Sequence, residues 1–352
     1  VRTSSNGKRI IMIGANDGQL HAFQTGELST TGGRELWSFV PPNLLSKLQF
    51  IAHASHPTSL LHHYYVDGPT SAADIWLNGS SATSIDSTYK TKDQWHTYMV
   101  MSEGRGGIST LWSSSANCES NFSPTYSSIY AHYCGYYAFD ITNTISTPPA
   151  FKWKLGGTSG LSATEGVHMG QAWSKMFMGR VRINNTERWV GLIGGGYSGT
   201  KVSGGGGKSG KGFYVVDLND GDILWTFTNS GPDGAVNADM DYDLVAGPVA
   251  VDSDNDGFWD TAYVGDVGGN IWRFTFCLKN SASTCGISNW SGSMLFNNAS
   301  SSSIRPIYTP VSVTTDKSGR LWVYVGTGDK NDPTAANAQE KIYAIRDSDR
   351  TS

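Results

Sequence analysis

The chain has 352 residues, enough for one large all-β domain or two average ones. Only 16% of residues are charged and the formal net charge is -4, which leaves no basic footprint for nucleic acid. No apolar run reaches the length of about eighteen residues that a membrane-spanning helix needs.

The first residue is Val1, with no methionine and no basic, apolar leader, so the chain is expected to be a piece of a longer product. Its 42 glycines and 12% aromatic content point to many short strands joined by tight turns. "RIIMIGANDGQLHAFQTGELSTTGGRELWSFVPP" (9–42) reads strand, Asp-Gly turn, strand, glycine-rich turn, strand. "PPNLLSKLQFIAHA" (41–54) is a short helix candidate. Then come His53, His56, His62 and His63, where loop hydrogen bonding or packing is weighed against metal ligation.

"WHTYMVMSEGRGG" (95–107) and "GYYAFDIT" (135–142) form a further copy, split by a cysteine-bearing insertion. Stretches 78–94 and 113–130 are rich in Ser, Thr and Asn and are expected to be exposed loops. "GGGYSGTKVSGGGGKSGKG" (194–212) invites a phosphate-loop reading that its spacing refuses. Gly207-Lys208-Ser209 has Val202 where the earlier glycine belongs, and the Gly205–Lys211 spacing ends in Gly212 instead of a hydroxyl residue. It is read as a linker.

"GKGFYVVDLNDGDILWTF" (210–227), "DTAYVGDVGGNIWRFTF" (260–276) and "LWVYVGTGDKNDPTAANAQEKIYAIRD" (321–347) repeat the hairpin again. About five copies at irregular spacing predict an all-β protein, a β-propeller with loop insertions, rather than an irregular sandwich. The Trp and Tyr residues recur at equivalent positions of the copies and are read as core.

The four cysteines fall into two local pairs, Cys118 with Cys134 and Cys277 with Cys285. Neither pair has zinc or redox spacing. Two disulfides stapling surface loops, and hence an oxidising location outside the cytoplasm, are preferred to four free thiols.

"VDSDNDGFWD" (251–260) is the sharpest signal. Asp252, Asp254, Asp256 and Asp260 stand at positions 1, 3, 5 and 9 of a loop whose sixth residue is Gly257. Hard cations take oxygen ligands, and calcium takes six to eight of them. Alternate side chains turn inward, Gly257 permits the bend that presents the Phe258 carbonyl, and Asp260 closes the set. The pattern is most of an EF-hand loop, but set between strands. Position 12 is Tyr263 and not a bidentate glutamate, which places affinity in the roughly micromolar to millimolar range. No His or Cys lies nearby to favour zinc. Calcium is preferred to an acidic turn solvated by water and sodium. Asp239, Asp241 and Asp243 in "DMDYD" lack the glycine and are a weaker candidate for a second cation site.

Taken in order, "GANDGQLHAF" (14–23), "YYVDGPTSAADIW" (64–76), "GYYAFDIT" (135–142), "MGQAWSKMFMGRV" (169–181), "GKGFYVVDLNDGDILW" (210–225), "AGPVAVDSDNDGFWDTAYVGDVGGNIWRF" (246–274) and "IRPIYTPVSV" with "VYVGTGDK" (304–330) resemble the C-terminal propeller of PilY/PilC-type type IV pilus tip adhesins. The resemblance implies a modified, seven-bladed propeller, incomplete or differently closed here because the chain stops soon after "IYAIRD" (342–347). Residues 1–352 would be one such domain, C-terminal in a longer protein whose variable N-terminal domain is not included.

It also implies a non-enzymatic, extracellular module at the pilus tip or cell surface. Such a module binds calcium and supports assembly, calcium-regulated extension and retraction (hence twitching motility), and adhesion. Family ligands map onto Asp252, Asp254, Asp256, the Phe258 carbonyl and Asp260, which the loop chemistry reaches independently. Expected partners are minor pilins of the tip complex and a host or abiotic surface ligand, with no nucleic acid and no membrane span. The alternative is a pyrroloquinoline-quinone dehydrogenase, to which "NDGQLHAF" and "DGDILWTF" are similar. Against it, the chain lacks adjacent cysteines and its acidic residues sit in one contiguous loop.

Overall fold

The computed structural model describes residues 9–26, 32–48, 51, 64–77, 83–84, 90–108, 135–143, 148–155, 168–199, 207–230, 235–281, 284–298, 304–334 and 340–351. Five sheets account for its regular structure. The first is β1 (Ile10–Gly14), β2 (Leu20–Gln24) and β3 (Glu35–Phe39). The second orders β4 (Thr70–Trp76), β6 (Trp95–Ser102), β7 (Tyr136–Asp140) and β8 (Ala150–Lys154) side by side. In the third, β9 (Phe177–Ile183), β10 (Thr186–Gly194), β11 (Gly212–Asp217) and β12 (Ile223–Thr228) follow one another, with the two-residue strands β5 (Thr83–Ser84) and β13 (Ala235–Val236) at its margins. The fourth is β14 (Val249–Val251), β15 (Thr261–Gly265), β16 (Ile271–Thr275) and β17 (Ser291–Phe296). The fifth is β18 (Ser312–Thr315), β19 (Arg320–Gly326) and β20 (Ile342–Thr351).

Within each sheet, strands that follow one another in the chain are neighbours, apart from β5, which pairs with β10, and all pair antiparallel except β12 with β13. This is the meander of a propeller blade. Each repeat read in the sequence falls in one sheet, and the described residues make five where the resemblance implies seven.

The middle strands β7, β11 and β15 have almost no exposed position, because a sheet on each side buries them, whereas β2 and β19 bury one side only. On β6, Met99 and Met101 pack with Leu20, Ala22 and Trp37 of the first sheet. Tyr98 and Val100, one residue out of phase, pack with Tyr214 and Val216 of the third. On β11 the other face, Phe213 and Val215, meets Val264, Trp272 and Phe274 of the fourth, with Phe213 stacked on Phe274 at 3.8 Å between ring centroids. Tyr263 and Ile271 then face Val323 and Val325 of the fifth. Two-fold side-chain alternation thus turns each strand into a link between two sheet-to-sheet cores.

Aspartates at the hairpins secure the register. Asp266 is buried and accepts from the Gly268 and Asn270 amides, Asn270 Nδ2 and Trp272 Nε1. Asp316 does the same with the Ser318 and Arg320 amides, Arg320 Nε and Trp322 Nε1. These two hairpins share the spacing, Asp followed six residues later by Trp. A long-range tie joins the second sheet to the fifth: Arg105, after β6, hydrogen-bonds Asn331, after β19, and lies 4.9 Å from the ring centroids of Tyr64 and Trp173.

Of the candidate helix over 41–54, the described residues show a 3-10 turn, Pro42–Lys47, entered through two prolines, and a helical Ile51; residues 49–50 and 52–54 lie outside the described residues. One expectation changes. The glycine-rich stretch is no linker over 207–212. Gly210 N donates to His168 O, Ser209 Oγ to Met169 O, and Lys211 is buried.

Asp266→Ala should strand four donors and lower stability by about 3 kcal/mol in denaturant unfolding. Asp316→Ala, at the same motif position on an open hairpin, should cost much less. Equal losses would mean that the motif, not its burial, sets the energy.

Candidate metal centre

The acidic loop connects β14 to β15, whose ladder pairs Val251 with Thr261. Asp260 N donates to Val251 O at 3.1 Å, so the strands hold both ends of the loop together. Two residues within it take left-handed backbone angles, Asn255 (φ 55°) and Gly257 (φ 88°). Asn tolerates that region and Gly enters it freely, which is why "DNDG" turns here.

Asp252 organises the turn: Oδ1 accepts from Asp256 N at 3.0 Å and Oδ2 from Gly257 N at 2.7 Å. Asp260 is 1% exposed. It takes Ser253 N on Oδ2 at 2.6 Å, and Ser253 Oγ and Thr261 Oγ1 on Oδ1, both at 2.7 Å. Burial pushes its carboxyl up, hydrogen bonds from Thr261 and Ser253 oppose that, and the charge of Asp254 adds to the rise. Asp254 Oδ2 accepts from Lys279 N at 2.7 Å, while its Oδ1 is buried with no hydrogen-bond partner.

Asp252, Asp254 and Asp260 each place a carboxylate oxygen within 4.8 Å of the others. No ion pair reaches any of the three among the described residues. Three converging carboxylates, one with a buried oxygen lacking a donor, fit a cation. An all-oxygen donor set suits a hard one such as calcium.

Asp256 stands apart from that group. Its Oδ2 pairs with Arg182 Nη2 at 2.7 Å and its Oδ1 accepts from Phe258 N at 2.9 Å. Sequence order places it at loop position 5, but the β9 strand of the neighbouring sheet supplies it with a guanidinium. Arg180 and Arg182, two apart and so on one face of β9, both lie over the Phe258 ring, at 4.7 and 4.6 Å. Arg180 Nε also donates to Gly257 O at 2.7 Å. Trp259 stacks on Phe177 at 4.7 Å, and Gly179 leaves room for its ring. These residues lie some seventy positions upstream, and the only trace of them in the sequence is the alternation in "GRVRI".

Cys277 and Cys285 form a disulfide; Cys118 and Cys134 lie outside the described residues, as do His53, His56, His62 and His63. In "DMDYD", Asp241 pairs with Lys211 Nζ at 3.3 Å and Asp243 accepts from Ser198 N and Oγ. An ammonium and a hydroxyl there serve carboxylates that the sequence leaves open for a second ion.

The profile of the PilY1 beta-propeller domain family matches residues 122–351. The chain belongs to that family. It is 26% identical over 288 residues to a type IV pilus biogenesis factor PilY1 homolog of Xylella fastidiosa, covering 79% of this chain and 15% of that protein. With the type IV pilus biogenesis factor PilY1 of Pseudomonas aeruginosa (strain PAO1) it shares 24% identity over 264 residues, 75% of this chain and 17% of the other. The crystal structure of the P. aeruginosa PilY1 C-terminal domain superposes with a TM-score of 0.59 at 22% identity, covering 96% of this chain and 57% of that one. The chain thus spans less than a fifth of the length of these curated relatives.

The Asp256–Arg182 pair is largely buried, with side chains 3% and 10% exposed. Arg182→Gln leaves the carboxylate without its partner and should lower cation-free stability by roughly 3 kcal/mol in denaturant unfolding. An unchanged midpoint would show that the pair carries no net stabilisation.

Proposed function

We propose that this propeller is a non-enzymatic calcium-binding module of a type IV pilus-associated protein, working outside the cell. The observation that carries the metal reading is the convergence of Asp252, Asp254 and Asp260, together with a buried, donor-free oxygen on Asp254. The Phe258 carbonyl at loop position 7 and Asp256 at position 5 are the further ligands proposed for the loop, and Asp256 could join only by sharing an oxygen already bonded to Arg182 or Phe258 N. Family membership and the names of the curated relatives support the pilus setting. The partners in that setting are minor pilins of the tip complex and a host or abiotic surface ligand. The single domain of residues 1–352 would serve pilus assembly, extension and retraction, and adhesion as one calcium-responsive unit.

Calcium acts here by cancelling repulsion. Without it, burial is the main cause that raises the cost of ionising Asp260, and the charge of Asp254 adds to it. With it, the same charges become ligands, and the β14–β15 hairpin is held closed against the β9 arginines. A ligand at a hundredfold excess over its Kd stabilises the folded state by about 2.7 kcal/mol.

Titration calorimetry of the purified chain should give one calcium site with a Kd of roughly micromolar to millimolar. Asp254→Asn should weaken it about tenfold or more by removing a charged ligand without reshaping the turn. Heat-free titration of the parent chain would overturn the metal reading. For the pilus role, the full-length protein carrying Asp254→Asn should alter surface piliation and twitching; wild-type piliation and motility would count against calcium regulation.

A further inference from the structure

Beside the acidic loop runs a short segment whose chemistry the loop does not explain by itself. It leaves β16 at Phe276, whose amide donates to Asp260 O at 2.7 Å. Cys277 and Cys285 follow as a bridge, 1% and 7% exposed. Among the described residues between them is a 3-10 turn, Lys279–Ser281. Ser281 O accepts from Cys285 N at 2.9 Å, so the turn closes onto the second cysteine. The bridge is packed in place: Trp290 Nε1 donates to Cys277 Sγ at 3.4 Å, and Cys285 O accepts from Asn184 N at 2.8 Å on the β9–β10 hairpin.

The segment's one contact with a candidate ligand side chain is Lys279 N–H on Asp254 Oδ2, across 25 residues of sequence. A carboxylate with one oxygen held by a fixed donor presents its other oxygen in a fixed direction. The buried, donor-free Asp254 Oδ1 is that other oxygen. A donor on a free loop would be lost to solvent exchange, whereas one on a closed ring stays aimed.

We propose that the disulfide-closed segment is the positioning element of the cation site, and that its oxidation state sets calcium affinity. This inference rests on the calcium reading above. Reduction by a dithiol transfers two electrons and two protons to the bridge, giving two cysteine thiols and the cyclic disulfide of the reagent. Lys279 N–H is then no longer constrained, Asp254 gains rotational freedom, and the oxygen set no longer arrives pre-arranged. Coupling is reciprocal: if reduction weakens calcium tenfold, calcium must disfavour reduction tenfold, a shift of about 30 mV for a two-electron couple.

Three variants and one redox titration test this, all on the intact chain with calcium chloride as the probe. Lys279→Pro removes the N–H at the first position of a helical turn, where proline is tolerated, and leaves the bridge in place. It should weaken calcium binding about tenfold, or about 1.4 kcal/mol, with an unchanged cation-free melting temperature. Lys279→Ala keeps the N–H and should bind no more weakly than the parent.

Cys277→Ser with Cys285→Ser should reproduce the loss. If that double variant does not fold, the redox titration with dithiothreitol, read by thiol alkylation, decides: calcium should make the bridge about tenfold harder to reduce. Parental affinity in Lys279→Pro, or a reduction midpoint indifferent to calcium, would overturn the inference while Asp254→Asn still weakens binding. Absence of any calcium heat in the parent chain would overturn both this inference and the reading beneath it.

Discussion

The middle strands of the inner sheets, such as β7, β11 and β15, bury both of their faces, and much else in the structure depends on that requirement. A strand such as β11, with Phe213 and Val215 on one side and Tyr214 and Val216 on the other, has no face for water. A single sheet cannot satisfy it, nor can a two-layer sandwich, in which one face of each sheet looks outward. Stacking sheets one on the next supplies the inner sheets with a partner on each side, and four cores link the five sheets described in series. Sheet-to-sheet packing is therefore the source of stability, while the hairpins fix which residue faces which core.

Register is a matter of one residue, since a slip of one would exchange the two cores a strand serves. Buried aspartates at the hairpins prevent this. Asp266 binds the turn amides and the Trp272 indole with the same carboxylate, so the turn and the core residue six positions later are set together. A carboxylate buried in this way is tolerable because each oxygen is hydrogen-bonded. Where the hairpin is open, as at Asp316, the same device works against solvent and contributes less.

The acidic loop uses this frame differently. It lies between strands of one sheet and docks on the β9 arginines of the sheet before it. Asp252, Asp254 and Asp260 gather within the loop, while Asp256 pairs outward with Arg182. Protein donors already meet most of the carboxylate oxygens, and the exception is Asp254 Oδ1. The hydrogen bonds that shape the loop thus leave one carboxylate oxygen for the proposed ion. The loop's position at a seam between two sheets means that a change of its charge is felt at an inter-sheet contact, as the proposed calcium response requires.

Much of this is legible in the chain itself. Hairpin strands, the propeller class and the acidic loop with its turn at Gly257 follow from alternation and turn chemistry, because such signals act over a few neighbouring residues. The pairing of Cys277 with Cys285 is equally local. What the chain does not display is who stands opposite whom. Arg182 meets Asp256, Lys279 N–H meets Asp254, Lys211 meets Asp241 and Arg105 meets Asn331 across separations of 25 to 226 residues. No local rule of spacing encodes such contacts. The same holds for the stretch 207–212, glycine-rich enough to pass for a linker until His168 and Met169 are seen to bind it. Sequence alone determined the strands, their turns and a loop of the right composition for a cation, since each depends on near neighbours. Which carboxylates converge, and which is claimed by a guanidinium, was decided only by tertiary packing, since distant strands must first be stacked before their side chains can compete for the same oxygen.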